Sequence, residues 1–232
     1  MDSVEYSFNV SNILIICGSI QGLIFSTIVL SSKKYKQKTF RYLAFLILAL
    51  SLSNAYYWFR DTGLAILWEH YRVLYVPWDL LILPLFYFFV STFLGIKKGY
   101  EKYLFIPFFI RLVAQVIKLL YQYTTLSNFK ISDETLFILK RFDEYGTIAF
   151  MLVMLLLILK LVFGYDNNKT LSNHLQKPTK WLKQLLIFGI SISLLWFVMV
   201  FLGDTTLPNL SSRSKYYFIW IGLSISPWTL SR

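Results

Sequence analysis

Asp79 is the one acidic residue that lies well inside a long apolar run of this chain, Val76-Pro77-Trp78-Asp79-Leu80-Leu81-Ile82-Leu83-Pro84. In a second run, Arg111, Gln115, Lys118 and Gln122 recur at steps of four, three and four. Such steps put all four on one stripe of a helix. A polar side chain in hydrocarbon is costly, so the stripe must face protein or water, and the Asp79 carboxylate needs a counter-charge or a wet cavity. Lys118 or Arg111 can supply the charge, and pairing neutralises both partners. Asn54, on another apolar run, is expected at a similar depth.

Two uses of these residues stand side by side. One is a structural ion pair that fixes helix register, with Lys118 and Gln122 snorkelling to the outer surface. The other makes Asn54, Asp79, Arg111, Gln115 and Lys118 the polar floor of a pocket that takes a small polar or amphipathic ligand from the outer side. Pro77 and Pro84 predict a kinked third helix, and kinks accompany cavities and moving parts.

Catalytic chemistry finds little to work with. His70 and His174 fall in links expected on opposite sides of the membrane, which leaves no histidine metal site and no serine–histidine pair. Proteolysis by paired carboxylates needs two groups sharing a proton, and one is present inside a span. A Walker loop and a dinucleotide fingerprint are both missing from the sequence. Cys17 is the one cysteine, so neither an intrachain disulfide nor a thiolate cluster can form. The expectation is a non-enzymatic chain with no cofactor and no metal.

The elements that must position these residues follow from composition. Of 232 residues 56% are hydrophobic and only 15% charged, a balance that a soluble domain cannot dissolve with. Apolar stretches recur at Phe8–Ser32, Thr39–Phe59, Val73–Gly95, Tyr103–Gln122, Tyr145–Gly164, Gln184–Gly203 and Tyr216–Leu230. They are continuous, without the alternation of a membrane barrel, and so read as helices. The predicted fold is all-α: one polytopic transmembrane helix bundle over residues 1–232, with six full spans, a short or truncated seventh and no soluble domain. Tyr56-Tyr57-Trp58, Trp68, Tyr75, Trp78 and Tyr216-Tyr217 mark helix ends at the headgroup level, and imply contact with a lipid bilayer.

The net charge of +11 would suggest nucleic acid in a soluble protein, but here the bases sit in short links. The first, third and fifth links hold Lys33, Lys34, Lys36, Lys38, Arg41, Lys97, Lys98, Lys102, Lys169, Lys177, Lys180 and Lys183, twelve in all. The alternate links hold Arg60, Arg72, Lys130, Lys140, Arg141, Arg213 and Lys215, which is seven, with most of the acids. The positive-inside rule then predicts a multi-pass protein of the inner (plasma) membrane, amino terminus outside and carboxyl end toward the cytoplasm. Lys160 is expected to snorkel to the cytoplasmic interface. Asp2 and Glu5 precede the first run with no base ahead of it, so that run is read as a retained helix. Within it Gly18, Gly22 and Ser26 form a small-residue stripe, suited to close helix contact inside the bundle or between two copies in a homodimer.

Several of these segments resemble the membrane-embedded amino-terminal half of membrane-anchored AraC-type transcription regulators, bacterial proteins whose spans precede a cytoplasmic helix-turn-helix domain. The residues that carry the resemblance are Gly18-Ser-Ile-Gln-Gly22-Leu-Ile-Phe25 with the basic link Lys33–Lys38, Leu50-Ser-Leu-Ser-Asn54-Ala-Tyr-Tyr-Trp58 with Asp61-Thr-Gly63, and Tyr75-Val-Pro-Trp-Asp79 with Leu83-Pro-Leu-Phe-Tyr87. It implies signal reception, in which a stimulus alters the bundle and an output domain changes its grip on DNA. The chain departs from that pattern after the seventh segment, where two helix-turn-helix units would need on the order of 100 further residues. Tyr216–Leu230 also rises only about 22 Å against a hydrocarbon core of about 30 Å. A truncation, frameshift or split gene is the expectation, and no DNA binding by this chain itself. The alternative function is a small membrane transporter or an accessory subunit of a membrane complex.

Overall fold

The computed structural model describes residues 10–64, 76–96, 99, 101–123 and 133–167, together with 182–184, 186, 187, 189–191, 193–195, 197 and 198. Side chains at 101, 118, 119, 121–123, 133–144 and 165–167 lie outside that description. The described residues are all-α. Helix α1 spans Val10–Ser31, α2 Lys38–Asp61, α3 Asp79–Phe93, α4 Ile106–Tyr123 and α5 Asp133–Asn167, with α6 over Leu182–Leu195. Single 3₁₀ turns at Lys33–Tyr35 and Glu101–Phe105 lead into α2 and α4.

Helices are what an apolar chain must form where no water can satisfy its backbone, and the hydroxyl side chains obey the same constraint. Thr92 Oγ1 donates to Phe88 O at 2.6 Å, Thr27 Oγ1 to Leu23 O at 2.8 Å and Ser193 Oγ to Gly189 O at 2.9 Å. Each hydroxyl thus bonds a carbonyl one turn back in its own helix. The short link between α1 and α2 is closed by Ser32, whose side chain accepts from Lys34 N at 3.3 Å. Tyr35 then meets Phe40 edge-on at 5.3 Å.

Two glycines end helices where their backbone must turn left-handed. At Gly95 φ is +69°, Gly95 N donates to Thr92 O at 3.3 Å and Ile96 N to Ser91 O at 2.9 Å, so the last carbonyls of α3 are satisfied. Gly63 does the same for α2 at φ +82°, donating to Arg60 O. A Cβ at position 95 would meet nothing within 4 Å, so Gly95→Ala isolates backbone strain from crowding. It is expected to cost about 1–2 kcal/mol, read as a lowered unfolding midpoint in detergent with no change in the assembled fold.

Helix α1 packs on α2, α2 on α3 and α3 on α5, while α4 rests on α3 and on the 3₁₀ turn ahead of it. The core sits around α3. Leu83, Phe86, Tyr87, Val90 and Leu94 line its inner face at helical spacing, opposite Met154, Leu155, Ile158, Leu161 and Val162 of α5. Leu46 of α2 and Leu182 and Leu186 of α6 complete the cluster. Rings extend it: Tyr42 lies 5.1 Å from Phe88, and Phe88 stacks on Phe105 at 5.3 Å. Lys183 Nζ sits 5.0 Å over the Phe163 ring and ties the start of α6 to the end of α5.

Several boundaries differ from those expected. The third helix begins at Asp79 and holds 15 residues, with Pro84 buried inside it, so it is shorter than the Val73–Gly95 segment. The fifth helix starts well before Tyr145 and runs for 35 residues, about 52 Å, through sequence read as a link. No glycine or proline lies between Asp133 and Tyr145, so nothing interrupts the helix there. Among the described residues three helices are long and apolar enough to cross a membrane, Val10–Ser31, Lys38–Asp61 and Tyr145–Gly164 within α5. Helix α4 with its polar stripe is not among them, α3 and Leu182–Leu195 are shorter apolar helices, and the seventh segment lies outside the described residues.

Candidate functional site

Asn54 projects from α2 and is buried, two turns before the helix end. Asp79 occupies the first turn of α3 and is half-buried. The sequence set it well inside a long apolar run, whereas the helix begins at Asp79 itself. At a helix start the unpaired N–H groups and the macrodipole favour a carboxylate, so Asp79 has a source of stabilisation besides any cation on α4. Arg111 and Gln115 are half-buried on α4, on the side away from the exposed Ile110, Val113 and Ile117. Arg111 and Gln115 therefore turn away from the exposed apolar face of α4.

Asn54, Asp79, Arg111 and Gln115 each engage another group. Packing sets Asn54 and Asp79 on the neighbouring helices α2 and α3, while Arg111 and Gln115 ride on α4 against α3. The Lys118 side chain, and with it the expected Asp79–Lys118 pair, lies outside the described residues. Lys160 is exposed on α5.

The Gly18, Gly22 and Ser26 stripe has a definite partner. It faces α2, where Ser19 Oγ donates to Ser51 O at 2.6 Å. A Cβ at Gly22 would collide with Ser51 Oγ and approach Ile47 Cγ2 to 3.3 Å. At Gly22 the stripe is in close contact with α2 inside the bundle.

Sequence reasoning gave no role to Asn12, and named Asp61 and Thr62 only among the residues that carry the resemblance; all three are buried. Thr62 Oγ1 donates to Trp58 O at 3.0 Å, and Asp61 engages another group. The signal was present as steps of seven. Asn12, Ser19 and Ser26 follow one another at that interval on α1, and Asn54 and Asp61 do so on α2, which keeps each set on one face. Among the described residues no group of three His, Cys, Asp or Glu side chains is arranged to hold a metal ion.

A bundle of this composition, with three helices of spanning length, defines a helical, multi-pass membrane protein in contact with the lipid bilayer. No family model, no curated protein and no solved structure matches the chain, so that class is as far as identification reaches.

Proposed function

We propose that the chain is a non-enzymatic, signal-receiving membrane region of the kind that AraC-type regulators carry, with Asn54, Asp79, Arg111 and Gln115 as the polar groups that meet the stimulus. The observation that supports this reading is how unevenly polarity is distributed along the bundle. The short link makes α1 and α2 antiparallel, so Asn12 at the start of α1 and Asn54, Asp61 and Thr62 near the end of α2 share one end. Consecutive crossings alternate in direction, which brings Asp79 at the start of α3 to that end as well. Counting nine residues from the Tyr42–Phe88 contact along each helix then sets Asp79 level with Ser51, one turn from Asn54. The opposite end carries the exposed Lys33, Lys34, Lys36, Lys38, Arg41 and Lys102. In the proposed orientation the basic end is cytoplasmic and the end with the amides and acids is the outer one.

A ligand bound at the outer end shifts the bundle only by as much as it prefers one arrangement over another. Two helices meeting at half-buried polar groups offer such a preference, because each rearrangement changes which groups are paired. Asp79→Asn and Arg111→Gln, expressed in the native cell background, are expected to abolish the stimulus-dependent change in transcription while vesicles reconstituted with either variant keep the permeability of the parent. Loss of solute uptake in Asp79→Asn vesicles, with transcription untouched, would instead identify a transporter. Reading the DNA downstream in all frames is the cheaper check, since a regulator region without any helix-turn-helix segment or paired regulator nearby would have no output.

A further inference from the structure

Helix α1 carries two seams on opposite faces. The first, Asn12, Ile15, Ser19, Gly22, Ser26 and Val29, is buried against α2. The second, Val10, Leu14, Cys17, Gln21, Ile24 and Ile28, is exposed throughout. Its steps of four, three, four, three and four are those of a heptad seam, offset by roughly 200° from the first. Gln21 stands at the middle of this 22-residue helix, where hydrocarbon is deepest. Its side chain is exposed, and lipid tails offer its carboxamide no hydrogen bond.

We propose that this second seam is the contact between two copies of the chain, with Gln21 of each copy bonded to Gln21 of the other. Electrostatic complementarity selects the partner. A carboxamide presents a donor end and an acceptor end, so its match is another carboxamide at the same depth. Two copies inserted in one membrane share an orientation, so their α1 helices run parallel and every seam residue meets its own equivalent about the two-fold axis. A 3–4 alternation of exposed residues runs through Ile13, Cys17, Ile20, Ile24 and Thr27 as well, and it is Gln21 that selects the seam, since one polar residue in a packed seam fixes register. The first seam cannot serve, being filled by α2. This proposal is independent of the signalling role, since it rests on α1 alone.

The sole cysteine supplies the test. Cys17 lies one turn from Gln21 on the same seam, so the two-fold brings Cys17 against Cys17. Mild oxidation of native membranes holding the full chain is expected to give a disulfide-linked dimer. Cys17→Ser/Ile20→Cys, about 4.5 Å further along and about 60° round the helix from Cys17 on the side away from Gln21, is expected to cross-link several-fold less. Gln21→Leu is expected to weaken the dimer about tenfold in dilution experiments in bilayers, the sum of two modest interhelical hydrogen bonds. Absence of the Cys17 dimer, equal cross-linking at position 20, or a Gln21→Leu dimer of unchanged affinity would each overturn the proposal; a seam covered by lipid or by another segment of the same chain gives the first result.

Discussion

Tyr87→Ala is expected to destabilise the bundle by about 3–5 kcal/mol, the range found when a fully packed aromatic ring is deleted from a core. Tyr87 is wholly buried, in the cluster that joins Phe86 and Val90 of α3 to Met154 and Ile158 of α5. Lipid cannot fill the space left behind without first parting α3 from α5, and the van der Waals contacts on every side of the ring are lost together. Leu156→Ala is the matched control. Leu156 is 64% exposed on the outer face of α5, where acyl chains close over a smaller side chain, and its expected change is within about 0.5 kcal/mol. Equilibrium unfolding of both variants in bicelles checks the pair. Equal losses would mean that α5 presents a different face to α3.

Gly22→Leu is expected to cost about 1–3 kcal/mol, because the space a side chain would need is already occupied by α2. Gly22→Ala is the finer probe. The atom in its way is Ser51 Oγ, the movable end of a short side chain, with Ile47 Cγ2 3.3 Å away. Removing that oxygen in the double variant Gly22→Ala/Ser51→Ala is expected to recover most of the loss, a coupling of about 0.5–1 kcal/mol. The bond from Ser19 Oγ goes to the backbone carbonyl of Ser51 and survives the substitution. Additive losses in the double variant would place the crowding elsewhere.

Both substitutions act on the frame that presents the polar end. Asn54 and Asp61 share α2 with Ser51, and Asp79 opens the helix that Tyr87 anchors. On the signal-receiving reading proposed above, a variant such as Gly22→Ala that loosens α1 from α2 without unfolding the chain should change the response to a stimulus more than it changes the amount of protein in the membrane, which a reporter assay normalised to protein level measures.

Sequence and structure divide the account along a physical line. That the described residues are helical, where α1 and α2 run, and that Tyr145–Gly164 is helical and apolar enough to span were all legible, because hydrocarbon leaves a continuous apolar run no other backbone solution. The inner seam of α1 was legible in part, since small residues at helical spacing mean close approach. Of the four residues expected on one stripe of α4, Arg111 and Gln115 are half-buried, and the side chains of Lys118 and Gln122 lie outside the described residues. What the sequence could not decide is which apolar face of α5 is inside. Ile158 is buried and Leu156 exposed, yet in a membrane both faces are oily, and the contrast that marks a soluble helix vanishes. Nor could it place the start of α3 at Asp79, because the residues from Val73 to Trp78 are as apolar as the helix that follows them. Composition by itself thus determined that this protein is a helical bundle in a bilayer. Only tertiary packing decided which partner each face meets, and so that the glycine seam closes on α2 while the Gln21 seam stays open.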